Sequence, residues 1–158
     1  MIHNMLNPNF KFNNFIENET NSYAYNMAYE VSENSSPYNF LTLYGIKGSG
    51  KTHILNAIGN RTKDFKKKVL YITSLEFSRK LDSKYCYKYF LEYDILLIDD
   101  IQDLSLKENS QEELYKLFYE LYRLNKQIVV TIDTTIDNLN VLDKLKECLC
   151  WGFIIEIK

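Results

Sequence analysis

A chain of 158 residues with 25% charged and 46% hydrophobic side chains has the profile of one soluble globular domain, able to bury roughly two-thirds of its unfolded surface. A formal net charge of -2 and a pI near 5.7 argue against strong nucleic-acid binding by the chain alone, because counterion release needs several clustered Lys or Arg. Three cysteines (Cys86, Cys148, Cys150) and two histidines (His3, His53) are too few and too scattered for a zinc site, and they fit a reducing compartment.

Residues 1–19 are Asn-rich and read as an extended lead-in segment, with Phe10, Phe12 and Phe15 spaced to dock on a core. From Thr20, an expected N-cap, Tyr23, Met27 and Val31 recur at helical spacing up to Glu33, and Ser-Ser-Pro within 34–39 breaks the helix. Strands then alternate with helices. Phe40 to Tyr44 predicts a strand, Lys51 to Thr62 a helix, Val69 to Thr73 a second strand, and Leu75 to Glu92 helical pattern with a break near Asp82–Ser83. Ile95 to Ile98 is a wholly apolar strand, Gln111 to Leu124 a helix, Ile128 to Ile132 a strand, Leu139 to Leu149 a helix, and Phe153 to Ile157 the last strand. The basic run from Lys63 to Lys68 reads as a solvated turn rather than a phosphate site. Continuous apolar strands separated by helices imply a single three-layer α/β domain over residues 1–158, its parallel sheet covered on both faces. No signal peptide and no run of about 18 apolar residues is visible, which points to a cytoplasmic protein without a membrane span.

Gly45-Ile46-Lys47-Gly48-Ser49-Gly50-Lys51-Thr52 fits G-x-x-x-x-G-K-[ST], the phosphate-binding P-loop. Its glycines let successive backbone N–H groups curl inward toward phosphate oxygens, and the following helix adds the positive end of its dipole. Gly45, Lys47, Gly48, Ser49, Gly50, Lys51 and Thr52 are therefore candidate ligands of ATP or ADP. Lys51 supplies a mobile charge for the outer phosphates, and the Thr52 hydroxyl is placed to ligate Mg2+. The strand Ile95-Leu96-Leu97-Ile98 ends in Asp99-Asp100, paired acids that a buried strand carries when something cationic lies beyond its end. Asp99 would hold magnesium through its water shell, and Asp100 would orient or deprotonate an attacking water. Asp133, after Thr131-Ile132, would face the same crevice and is a candidate sensor of the γ-phosphate.

These motifs resemble the ATPase domain of the bacterial replication initiator family DnaA, within the AAA+ superfamily, almost end to end. The resemblance runs through Leu6-Asn7-Pro8 with Phe12-Asn13-Asn14-Phe15, and Tyr44-Gly45 to Gly59-Asn60 including His53. It continues through Val69 to Thr73, Leu96 to Gln102, Lys126 to Val129 with Thr131 and Asp133, and Trp151-Gly152. It implies a P-loop core with sheet order 5-1-4-3-2, ATP or ADP with magnesium as ligand, His53 as a further nucleotide-binding residue, and work in replication initiation or its regulation. Departures accompany it. Cys148 stands where the family carries an arginine that reaches a neighbour's ATP, and a thiol supplies no such charge. The family's helical lid, its second arginine sensor and its DNA-reading domain are absent from these residues.

The expectation is therefore a nucleotide-dependent module acting through an AAA+ partner such as a full-length initiator, with slow hydrolysis at most. Two alternatives stay open: a self-sufficient weak ATPase, and a fragment that binds single-stranded DNA or loads a helicase. Tyr85, Tyr89 and Tyr93, interleaved with Lys84 and Lys88, either stack on bases or form one apolar helical face, and their period favours packing.

Overall fold

The computed structural model describes residues 5–33, 39–81, 86–104 and 108–158. Helix α1 (Ser22–Glu33) leads into β1 (Leu41–Tyr44) and α2 (Lys51–Asp64). Then come β2 (Val69–Thr73), α3 (Ser74–Leu81), α4 (Cys86–Leu91), β3 (Ile95–Asp99), α5 (Glu108–Arg123), β4 (Gln127–Ile132), α6 (Asp143–Leu149) and β5 (Phe153–Glu156). All strand pairs are parallel, in the order β2-β3-β4-β1-β5. This is the predicted order written from the other edge.

The sheet separates two apolar layers, and the alternation along β3 shows why its run is continuous. Leu96 and Ile98 enter a cluster with Phe77, Phe90 and Phe118 under α3 to α6, whereas Ile95 and Leu97 enter one with Ile54, Leu55 and Ile58 under α1 and α2. Each face is covered, so no position in β3 needs a polar side chain until Asp99. In the first layer Phe118 stands at the centre, its ring edge-on to Phe40 at 5.2 Å and stacked on Phe77 at 6.3 Å.

Several boundaries differ from expectation; α5, for one, starts at Glu108 rather than Gln111. Thr20 does not cap α1. The Asn18 side chain does, its Oδ1 accepting from the Thr20 and Asn21 N–H groups at 2.8 and 3.1 Å, because a short amide two residues upstream reaches both free donors. Phe40 lies outside β1 with φ 76, its ring buried while the main chain turns. Residues 139–142 are not helical: a 3-10 turn at Ile136–Asn138 precedes them and α6 begins at Asp143. Helix α2 runs on to Asp64 before the chain turns at Lys66, φ 59, so the basic run is part helix end and part turn. The expected breaks near Asp82–Ser83 and within 34–38 fall outside the described residues, as do Lys84 and Tyr85. Tyr89 and Tyr93 pack against the core with their rings 5.4 Å apart, consistent with the packing reading of that stripe. Among the described residues no helix is long and apolar enough to cross a membrane.

The lead-in segment docks on the outer side of α2. Asn56 Oδ1 accepts from the Asn7 N–H at 2.7 Å, and Asn60 Nδ2 donates to the carbonyls of Asn7 and Phe10 at 2.8 and 2.9 Å. Residues 56 and 60 lie one turn apart on one helical face, so two amides satisfy backbone groups that would otherwise be stranded.

Candidate functional site

The loop between β1 and α2 is shaped by what its glycines permit. A Cβ on Gly45 would stand 2.2 Å from the Ile157 carbonyl oxygen, a backbone atom with no room to yield. Gly48 and Gly50 have φ 85 and φ 100, the left-handed region that side chains with a Cβ rarely enter. The loop therefore curls tightly and delivers the chain into α2 at Lys51.

Lys51 is nearly fully buried, and its Nζ donates to the carbonyls of Gly45 and Ile46 at 2.7 and 2.8 Å. The ammonium is thus held at the loop itself. Ser49 Oγ is buried without a hydrogen-bond partner, an orphaned polar atom inside the curl. Beside the loop lies a cleft of about 480 Å3 lined by Lys47, Gly48, Gly50, Lys51, Thr52 and His53 on one side. Asp100, Gln102, Asp103 and Asp133 line the other, and Phe10 closes the end. Gly45, Ser49 and Asp99 form its backing rather than its wall. Phe10 stacks on His53 at 4.8 Å, and His53 Nε2 is 2.8 Å from the Lys11 carbonyl oxygen.

Asp99 sits at the centre of a hydroxyl network. Its Oδ2 accepts from Thr52 Oγ1 and Tyr71 OH, both at 2.9 Å, and its Oδ1 accepts from Thr131 Oγ1 at 2.6 Å. Burial, and then the charge of Asp99, push the Tyr71 phenol well above its ordinary value, which keeps it a donor. Asp99 is 5% exposed, and among the described residues no ion pair reaches it. A buried carboxylate with hydroxyl partners and no cation is the donor set for a hard divalent metal. Thr52 and Asp99, 2.9 Å apart, are the residues that would hold such a metal.

Asp100 follows with φ 55 and ψ 59. That turn is held by Thr131 Oγ1, which accepts from the Asp100 N–H at 2.8 Å, and by Ser74 Oγ, within 2.9 and 2.6 Å of the Asp99 and Asp100 carbonyls. Asp100 precedes a 3-10 turn without capping it through its side chain. Burial raises its carboxyl above the ordinary value, the Gln102 hydrogen bond lowers it, and Asp99 raises it again. A carboxyl whose folded pKa lies above its unfolded one favours folding below the unfolded value of 3.8, and loses that contribution as pH rises through the folded value. Asp100→Asn, whose neutral amide tolerates the left-handed turn, should gain stability relative to the wild type between pH 3 and pH 7. Urea unfolding of both proteins at the two pH values checks this; a constant difference would refute it.

Asp133 stands exposed on the rim, its N–H donating to Gln102 Oε1 at 3.2 Å. The structure thus brings the P-loop, Asp99, Asp100 and Asp133 to one cleft. Tyr71, Ser74, Phe10 and Gln102 are additional members without a sequence-level role. Tyr71 joins because its long side chain, two residues before the Thr73–Asp99 pair in register, reaches along the sheet to the carboxylate. Cys148, by contrast, is fully buried in α6, its thiol pushed up to about 12 by burial, and faces the core.

Comparison with known proteins now bears on the site. Residues 6–156 match the family described as the bacterial DnaA ATPase domain. The chain is 42% identical over 162 residues to the chromosomal replication initiator protein DnaA of Helicobacter hepaticus, covering 96% of this chain and 35% of that protein. With the DnaA protein of Buchnera aphidicola it shares 40% over 167 residues, 99% of this chain and 38% of the relative. It therefore spans little more than a third of the length of these curated relatives. Its structure matches that of AMPPCP-bound DnaA from Aquifex aeolicus with a TM-score of 0.90 and 34% identity, over 98% of this chain and 51% of that one. A five-stranded parallel sheet with the P-loop between β1 and α2, and a family match across nearly every residue, lead to one statement: the chain belongs to the bacterial DnaA ATPase-domain family.

Proposed function

We propose that this domain binds ATP or ADP with magnesium in the cleft beside the P-loop, and that it serves initiation of chromosome replication or its regulation through an AAA+ partner such as a full-length initiator. The observation that carries the reading is Asp99, buried without a cation and bonded to the Thr52 hydroxyl at the mouth of the P-loop. The bound AMPPCP of the Aquifex aeolicus relative agrees with it.

The roles follow from position. The backbone N–H groups of Gly48 to Lys51 would donate to phosphate oxygens, and the Lys51 ammonium would move from the loop carbonyls to the outer phosphates. Thr52 and Asp99 hold the magnesium, which would neutralise phosphate charge. His53 and Phe10 wall the nucleotide side of the cleft. Asp100 and Asp133 stand at the opposite end. Cys148 carries no charge and points inward, so the domain would accept a neighbour's arginine without offering one at that position. Asp99→Asn should remove most of the magnesium dependence of nucleotide affinity. In calorimetry the wild type should weaken by about tenfold or more on adding EDTA, and the variant should change little. Equal EDTA sensitivity of both proteins would contradict the metal assignment. Retention of a full-length initiator on immobilised domain, with Mg-ATP and not without nucleotide, tests the partner.

A second reading, a weak self-sufficient ATPase, is favoured by one observation: Asp100 is held in a left-handed turn by Thr131 and Ser74 rather than swinging free. Slow turnover of purified domain, lost in Asp100→Asn, would establish it.

A further inference from the structure

Gln102 has no part in the roles above, yet its side chain joins the two strand ends that close the cleft. It lies in the short 3-10 turn Ile101–Asp103, immediately after β3. Its Nε2 donates to Asp100 Oδ1 at 3.2 Å, while its Oε1 accepts from the Asp133 N–H at 3.2 Å. One face of the amide is thus spent on a carboxylate and the other on main chain 31 residues away. Asp100, Gln102 and Asp133 share the cleft wall across from Lys51. No other side-chain donor to the Asp100 carboxylate is seen among the described residues.

We infer that Gln102 is a positioning residue that pins the Asp100 carboxylate to the loop after β4, and thereby sets the preference of this cleft for a nucleoside triphosphate over a diphosphate. The inference rests on the nucleotide-binding reading. The loop amides serve both ligands alike, because both carry the inner phosphates, and the Lys51 ammonium would reach the second phosphate that both share. The Asp100–Gln102–Asp133 end meets only the longer one. A carboxylate freed from its amide turns a full negative charge toward a third phosphate, and like charges in a partly desolvated cleft repel. The amide also holds the Asp133 N–H, so its loss loosens the loop that borders the same phosphate.

The test is calorimetric titration of the purified domain with Mg-ADP and with Mg-AMPPCP. Gln102→Met keeps the length of the side chain and removes both hydrogen bonds. Gln102→Glu keeps an acceptor for the Asp133 N–H and removes the donor to Asp100. Both variants should bind ADP within about twofold of the wild type and AMPPCP about tenfold more weakly, the range expected for losing a hydrogen bond to a charged group. In an Asp100→Asn background the effect of Gln102→Met should shrink to the smaller part carried by the Asp133 N–H. A merely structural role for Gln102 would weaken both ligands in parallel, and that result overturns the inference, as do unchanged affinities or an undiminished effect beside Asn at position 100. Should the wild type bind neither ligand, the nucleotide reading itself falls. Normal wild-type binding with indifferent variants removes only the role of Gln102. Thermal midpoints of all variants, recorded without ligand, separate misfolding from altered recognition.

Discussion

Lys51→Ala raises the dissociation constants for Mg-ATP and Mg-ADP by roughly two orders of magnitude or more, while the unfolding free energy moves by no more than about 1 kcal/mol. The ammonium is the one charge inside the P-loop curl. It sits where a phosphate oxygen can replace the Gly45 and Ile46 carbonyls as its acceptor. Removing it leaves the phosphates of either nucleotide facing amides alone. Truncating one partner of a buried, hydrogen-bonded charge pair costs about 2–5 kcal/mol, and each 1.4 kcal/mol is about tenfold in affinity. The fold should lose little, because Lys51 itself lines the cleft and its removal lets water reach the two loop carbonyls in place of the amine. Calorimetry with each nucleotide, beside a thermal melt, measures both halves. Unchanged affinity would sink the phosphate-site assignment. Lost affinity together with a collapsed melt would show that Lys51 supports the fold rather than the ligand.

Phe118→Ala should do the reverse. Its ring is 1% exposed and interlocks edge-to-face with Phe40 and face-to-face with Phe77 beneath the sheet. Truncation removes a large apolar surface and opens a cavity that its two ring neighbours cannot fill, at a cost of about 3–5 kcal/mol. Against a whole-domain stability of about 5–15 kcal/mol, the melting midpoint should fall by about 10 °C or more. Phe118 lines none of the phosphate cleft, so nucleotide affinity of the molecules that remain folded should match the wild type. A drop of only one or two degrees would mean that the layer under α5 is loosely packed, contrary to the ring geometry. Set side by side, the two variants separate the ligand from the core.

The layer architecture was legible in advance because β3 is apolar up to Asp99 and β1 and β4 are nearly so, a pattern that strands buried on both faces carry. The ends of elements were less so. Thr20 and Asn18 are both capping types, and which one caps α1 depends on where the lead-in segment turns. Leu139 and Leu142 satisfy a helical period, yet the chain there runs from a 3-10 turn into α6, and the Leu142 N–H is taken by Gln111 Oε1 at 2.7 Å. A long-range side-chain bond settled that boundary. Local propensity could not.

The phosphate loop was determined by the sequence alone. Gly45 through Thr52 are consecutive, and the chemistry proposed for them is mostly that of their own backbone, so residue type and spacing are enough to mark the loop. Asp99 and Asp100 were legible as candidates for a related reason: two acids closing an apolar strand call for polar or cationic partners beyond its end. What holds Asp99 was decided by the tertiary structure. Tyr71, Thr52 and Thr131 lie 28, 47 and 32 residues from it along the chain and meet it only because the sheet order sets β2 and β4 on either side of β3, with β1 and its loop next in line. Side-chain hydrogen bonds act over about 3 Å, and no spacing in a sequence states which strands will lie 5 Å apart.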